Sequence, residues 1–268
     1  MNPLCYETIN RSPFITPDFE ADLSAQIRAA GNAGFRWMGI DFASIDQYCD
    51  GGGTLASLRR QLDDAGIRCF ELQPLLLGEN LAETIAAAHR AAEIASLLEV
   101  PWVQSGVVGD LGVQVEEGFR ESASIVAKSG ASLAVEFLPM NALKSISETR
   151  AFFARAGVET AGIVVDSWHF FHGPDEWSDL EALSLGELAY PQFNDHPALE
   201  SDDLMFETTQ RRVLPGQGLF DLTRFSRTIR EKGYEGPVSV EILSAELRRL
   251  SPEDFARSVF ESSSPYWS

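Results

Sequence analysis

The chain has 268 residues, 44% hydrophobic and 23% charged, the composition of a globular protein large enough to bury a real core. Its 40 acidic and 21 basic residues leave a net charge of −19, which repels phosphate backbones and argues against a nucleic-acid partner. No basic patch compensates: Arg211 and Arg212 stand together, while Arg227, Arg230 and Lys232 are spread along a later helical stretch.

Cys5, Cys49 and Cys69 are odd in number, far apart and outside any CxxC spacing. Each is expected to be a buried or surface thiol, not a disulfide partner or zinc ligand. The opening MNPLCYETINRS lacks a basic stretch followed by an apolar one, and no apolar run reaches membrane length. The expected location is the cytoplasm, with no membrane partner.

Short apolar runs alternate with amphipathic helical stretches along the chain. Strands are expected at LCYETI from 4, FRWMGID from 35, IRCFELQ from 67, VPWVQSG from 100, SLAVEF from 132, GIVVDS from 162, LAYPQF from 188 and PVSVEIL from 237. The first five begin 31 to 33 residues apart, the next two intervals are 30 and 26, and the last is 49, which leaves room for an inserted loop. Helical stretches stop at Gly34, Gly66, Gly130 and Gly236, where glycine takes the left-handed conformation without steric cost. Eight such units describe an α/β fold, the (β/α)8 TIM barrel, as one domain over 1–268. An open doubly wound sheet would need a Gly-rich phosphate turn after its first strand, and TINRSPF is not one.

A TIM barrel builds its active site at the C-terminal strand ends. There the fifth strand ends in Glu136, the sixth in Asp166 with His169 three residues on, the seventh in Gln192 and Asp195, and the eighth in Glu241. Alone, each has an ordinary explanation: a strand-end acid is more often an ion-pair partner than a ligand, Asp166 could cap the next helix, and His169 could be a packed rim histidine. Together they differ. Glu136, Asp166 and Glu241 follow apolar residues on neighbouring strands, and no Lys or Arg ends strands five to eight to neutralise them. That combination favours a divalent metal held by oxygen ligands.

In order, AVEFLP, VVDSWHFF, PQFNDHP, RRVLPGQG and VSVEIL resemble the motifs of the xylose isomerase-like TIM-barrel superfamily of sugar-phosphate isomerases and epimerases. The match covers 132–242, and the first half agrees only in its repeat. The resemblance implies Glu136, Asp166, Gln192 and Glu241 as metal ligands, His169 as a substrate-contacting and catalytic histidine, and Arg212 as the substrate-binding arginine. Two features depart from the sugar 3-epimerases. These usually have His at the position of Gln192, and a second substrate-binding Glu where this chain has MNALK. Gln at the third ligand position is similar to some 3-dehydroshikimate dehydratases.

What the resemblance implies is a metal-dependent isomerase or epimerase of a small polyhydroxy carbonyl compound. Glu136 and Glu241 would exchange a proton with the substrate carbon from its two sides, and an enediolate would form at the C-terminal mouth. One divalent ion is expected, Mn or Mg on an all-oxygen donor set, with Co or Zn as alternatives. Eliminating a β-hydroxyl from the same enolate would make a dehydratase of the 3-dehydroshikimate or inosose type, and a non-catalytic sugar-binding barrel is a further alternative. The endonuclease IV branch needs extra histidines, including at strands three and four, where this chain has ELQP and VQSG. A homo-oligomer stays open.

The segment from Asp195 to Gly218 is too long for a plain connection and is expected to fold over the mouth, with ESDD as a solvated acidic stretch. Trp168, a candidate substrate contact, would wall the pocket with Phe170 and Phe171. Trp37, Asp41, Glu71, Gln73 and Gln104 are further strand-end candidates. His196 follows the Gln-x-x-Asp motif and could reach the mouth, but is expected on a surface loop; His89 is expected on a helix, structural or exposed.

Overall fold

The structure, a computed structural model, describes residues 2–268. Eight parallel strands alternate with helices and close into a barrel in sequence order. They are β1 (Leu4–Glu7), β2 (Trp37–Asp41), β3 (Arg68–Leu77), β4 (Trp102–Val107), β5 (Ser132–Glu136), β6 (Gly162–Asp166), β7 (Leu188–Phe193) and β8 (Val238–Val240). Each expected strand is present. The apolar runs do not alternate with polar residues because helices cover the outside of the barrel, and β6 and β7 are buried along their whole length.

Two compact units make up the chain, residues 1–70 with 192–268, and residues 71–191. In the first, β1 pairs with β2 and β8, and Gln192 of β7 stands opposite Ser239 of β8. Tyr6 meets Phe35 and Phe255 edge to face at 5.5 and 6.0 Å in its core. In the second, β4 pairs with β3 and β5, and β5 pairs with β6, which sets Glu136 opposite Val164. Phe119 stacks on Phe152 and Phe153 under its helices.

Gly34, Gly66 and Gly130 all have positive φ, as expected of helix stops. The expectation at Gly236 is corrected. The helix Leu222–Glu231 stops earlier, and Gly233 is the left-handed residue, at φ 86°. Gly236 instead gives clearance to Tyr234, whose hydroxyl would lie 2.6 Å from any Cβ there and donates to the carbonyl of Pro237. The three cysteines are thiols, two of them buried. Among the described residues no helix is long and apolar enough to cross a membrane.

Candidate metal centre

In the unit 71–191, β5 and β6 end on Glu136 and Asp166. Asp166 caps the short helix Ser167–His172: its Oδ1 accepts from the backbone N–H of Trp168 at 2.6 Å and of His169 at 3.2 Å. Cap and ligand, rivals in the sequence, are compatible here, because the cap uses Oδ1 and leaves Oδ2 outside it. The capped turn also explains the Asp-x-x-His spacing, since it brings His169 back over the strand end. His169 Nε2 lies 3.2 Å from Glu136 Oε1, and Gln104 Nε2 donates to Glu136 Oε2 at 2.8 Å. Glu136, Asp166 and His169 each offer an atom within 4.8 Å of the others.

In the other unit, Gln192 and Glu241 lie buried at the ends of β7 and β8. Gln192 Nε2 donates to Glu241 Oε1 at 3.3 Å. Arg212 Nη1 donates to Glu241 Oε2 and to the Glu241 carbonyl, both at 3.0 Å. Its Nε and Nη2 donate to the Thr208 carbonyl and Oγ1 at 2.8 Å. The sequence offered no cation at a strand end, yet Glu241 has one, delivered by the loop after β7. Each guanidinium nitrogen is engaged inside the protein, so Arg212 is built into the Glu241 support.

β8 is short because Asn10, from the turn after β1, takes over its ladder. The Asn10 amide donates to the Val240 carbonyl at 2.9 Å and accepts from the Ile242 N–H at 2.6 Å, bracketing Glu241. Neither Asn10 nor Thr208 was legible as a site residue. A lone amide in TINRSPF and a hydroxyl in FETTQ carry no signal until the fold sets them beside Glu241.

The segment after β7 is a packed structure. Asp195 accepts from the backbone N–H of Gly216 and Gly218 at 2.9 Å and of Phe220 at 3.2 Å, and bridges to Val213. A Cβ on Gly218 would sit 2.2 Å from Asp195 Oδ1 and 2.5 Å from the His196 carbonyl, so the PGQG motif is a cradle for this carboxylate. Gly218→Ala is expected to cost about 1–3 kcal/mol through overpacking, read as a lowered urea midpoint at unchanged slope; an unchanged midpoint would mean that the cradle yields freely.

His196 is buried, a correction to its expected surface position, because Asp195 fixes the chain beneath RRVLPGQG. Burial lowers its pKa against the pull of Glu207, whose Oε2 is 3.3 Å from Nε2. Burial also opposes ionisation of Glu207, but Arg211, the N–H of Glu200 and the Ser201 hydroxyl outweigh it and hold that carboxyl below its usual range. ESDD is exposed, as expected.

Trp168 is fully buried, its ring 5.3 Å from that of His169 and 4.5 Å from that of His172. Phe170 and Phe171 both pack on Trp177. Among the other strand-end candidates, Asp41 caps the helix Phe42–Asp50 and accepts from Thr8 and Ser12. Glu71 accepts from the Tyr190 hydroxyl, and Trp37 packs on Phe70 beneath Arg68. Gln73 is buried in β3. His89 is exposed on the helix Leu81–Leu98.

Within the unit 71–191, Glu136, Asp166 and His169 form a group of the kind that can hold a metal ion. Glu136 Oε1 makes no hydrogen bond beyond its 3.2 Å approach to His169 Nε2. In the other unit, Gln192 Oε1 is buried with no hydrogen-bond partner, a costly condition for a polar atom. A parallel barrel with buried carboxylates at its strand ends defines a class of barrel proteins that carry polar chemistry at the C-terminal mouth. Residues 27–261 match the model of the xylose isomerase-like TIM barrel family, and the chain belongs to that family.

Among curated proteins it is similar to an inosose isomerase of Halalkalibacterium halodurans, 29% identical over 50% of this chain and 47% of the relative. It is also similar to a 3-dehydroshikimate dehydratase of Pseudomonas aeruginosa, 25% identical over 85% of this chain and 37% of the relative. The chain thus spans about half or less of the length of these relatives. Two solved structures share the fold. The IolI protein with a bound zinc atom has a TM-score of 0.85 at 18% identity, over 99% of this chain and 98% of that one. An L-ribulose 3-epimerase has a TM-score of 0.76 at 12% identity, over 100% and 95%.

Proposed function

We propose that the protein is a divalent-metal-dependent isomerase or epimerase that enolises a small polyhydroxy carbonyl compound. Glu136, Asp166, Gln192 and Glu241 are the ligands in this reading, drawn from four consecutive strands of the barrel. The observation that carries it is the cluster of Glu136, Asp166 and His169, whose donor atoms lie within 4.8 Å of one another. A bound divalent ion supplies Lewis acidity, which polarises a carbonyl and acidifies the neighbouring C–H. The oxygen-only donor set suits Mn²⁺ or Mg²⁺ better than Co²⁺ or Zn²⁺.

The chain's own groups do the rest. Glu241 takes or returns the proton, its buried charge balanced by Arg212 and its direction fixed by Asn10 on either side. Glu136 acts as its counterpart. His169, whose Nδ1 is buried without a hydrogen-bond partner, is suited to hold a substrate oxygen. The engagement of every Arg212 nitrogen with Thr208 and Glu241 supports an unphosphorylated substrate, since a phosphate would have to displace these bonds.

One specific observation favours a dehydratase as the second reading. The similarity to 3-dehydroshikimate dehydratases extends over 85% of the chain, against 50% to 57% for the inosose isomerases. Incubation with unphosphorylated keto-sugars, inososes and dehydroshikimate in deuterium oxide with Mn²⁺ separates the two. Solvent deuterium in recovered substrate or epimer is the expected result. A growing aromatic absorbance from dehydroshikimate, or a dehydrated product eighteen mass units lighter from an inosose or keto-sugar, would replace it with the dehydratase, and none of these signals from any of these carbonyl compounds would remove the enolisation reading.

A further inference from the structure

Gln104 stands on β4 directly opposite Ala134 of β5. Glu136 lies two residues beyond Ala134 and shares its face of the strand. The Gln104 side chain leans along the strand and donates Nε2 to Glu136 Oε2 at 2.8 Å. Only 3% of Gln104 is exposed, so its amide is ordered at a desolvation cost that a surface glutamine avoids. The other oxygen of Glu136, Oε1, is buried, has no hydrogen bond and faces His169 Nε2. The two oxygens of one carboxylate are therefore differentiated: Oε2 is fixed by an amide, and Oε1 makes no hydrogen bond and has the His169 imidazole 3.2 Å away.

We propose that Gln104 is a positioning residue that fixes the Glu136 carboxylate through Oε2 and so presents Oε1 as the atom that binds a divalent cation. The inference rests on the metal-dependent reading above and deepens it by naming the residue that decides which oxygen acts. Without the Gln104 donor, the Glu136 carboxylate can rotate about its terminal torsion, which is broad for an sp³–sp² bond, and Oε1 loses its preferred direction. Hydrogen-bond partners of metal ligands are worth about 10–100-fold in metal affinity.

The test is calorimetric titration of metal-stripped protein with Mn²⁺ alone, in the native chain, Gln104→Met and Ser105→Ala. Met matches the length of Gln and removes the donor. Ser105, the next residue on β4, donates instead to the Ala134 carbonyl at 3.4 Å and reports any general loosening of the β4–β5 pair. Gln104→Met is expected to weaken Mn²⁺ binding by about 10–100-fold, with Ser105→Ala close to native. If Gln104→Met does not fold, Gln104→Asn keeps the amide but draws it back by one methylene, and the same loss is expected. Native-like affinity in the folded Gln104 variant, or an equal loss in Ser105→Ala, overturns the positioning role while leaving the metal site in place. No Mn²⁺ binding by the native chain removes the metal-dependent reading, and this inference with it.

Discussion

Asp166→Ala is expected to abolish stoichiometric metal retention, with Mn²⁺ affinity falling by more than about 100-fold, beyond the effect of losing a ligand's supporting partner. The substitution removes an oxygen that lies within 4.8 Å of donor atoms of Glu136 and His169. It also removes the cap of Ser167–His172, worth about 1 kcal/mol, and that cap is what turns His169 toward Glu136. The two losses can be separated. Asp166→Asn keeps a capping oxygen but lacks the charge, so it should recover the melting temperature and only part of the affinity. An Asp166→Ala protein that is folded and binds Mn²⁺ as the native chain does would show that the strand 6 carboxylate is only a cap.

Glu241→Gln is expected to lose about 10²–10⁴-fold in kcat, the usual worth of a general base, while still binding metal. Gln retains an oxygen ligand and cannot take the proton. The structure adds a complication that the sequence did not carry. Glu241 balances Arg212, which is 1% exposed, so the same substitution leaves a buried guanidinium without its counter-charge. Breaking one side of a buried pair costs about 3–5 kcal/mol. A lowered melting temperature is therefore expected alongside lost turnover. The double variant Glu241→Gln, Arg212→Met removes the stranded charge and should regain stability without regaining rate. Near-native kcat in folded Glu241→Gln protein would assign the base elsewhere.

The barrel was legible because its signals are local and repeated. Each strand is a short apolar run, most helices stop at a glycine, and the interval between strands is nearly constant. Glu136, Asp166 and Glu241 could be picked out as candidates for a related reason: a strand end is a defined place in a barrel, and three acids on neighbouring strands without a strand-end cation stand out together, whereas Gln192 was a candidate only through the family resemblance. Supporting residues were not legible. Thr208 and Asn10 act through backbone and guanidinium contacts set by tertiary structure, at sequence separations from Glu241 of 33 and 231 residues. The motif implies a substrate role for Arg212, and the structure adds contacts to Glu241 and Thr208 that the motif does not signal. His196 was misplaced because a polar residue in a long loop reads as exposed, and only the bridge from Asp195 to Val213 shows that this part of the loop is packed.

The most direct measurement is anomalous diffraction at the manganese edge from crystals grown with Mn²⁺. The expected result is one peak per chain, bonded to oxygens of Glu136, Asp166, Gln192 and Glu241 at about 2.0–2.6 Å, the range of hard-cation oxygen sites. A Mn²⁺-supplied crystal in which those four side chains point apart, with no peak among them, would contradict it.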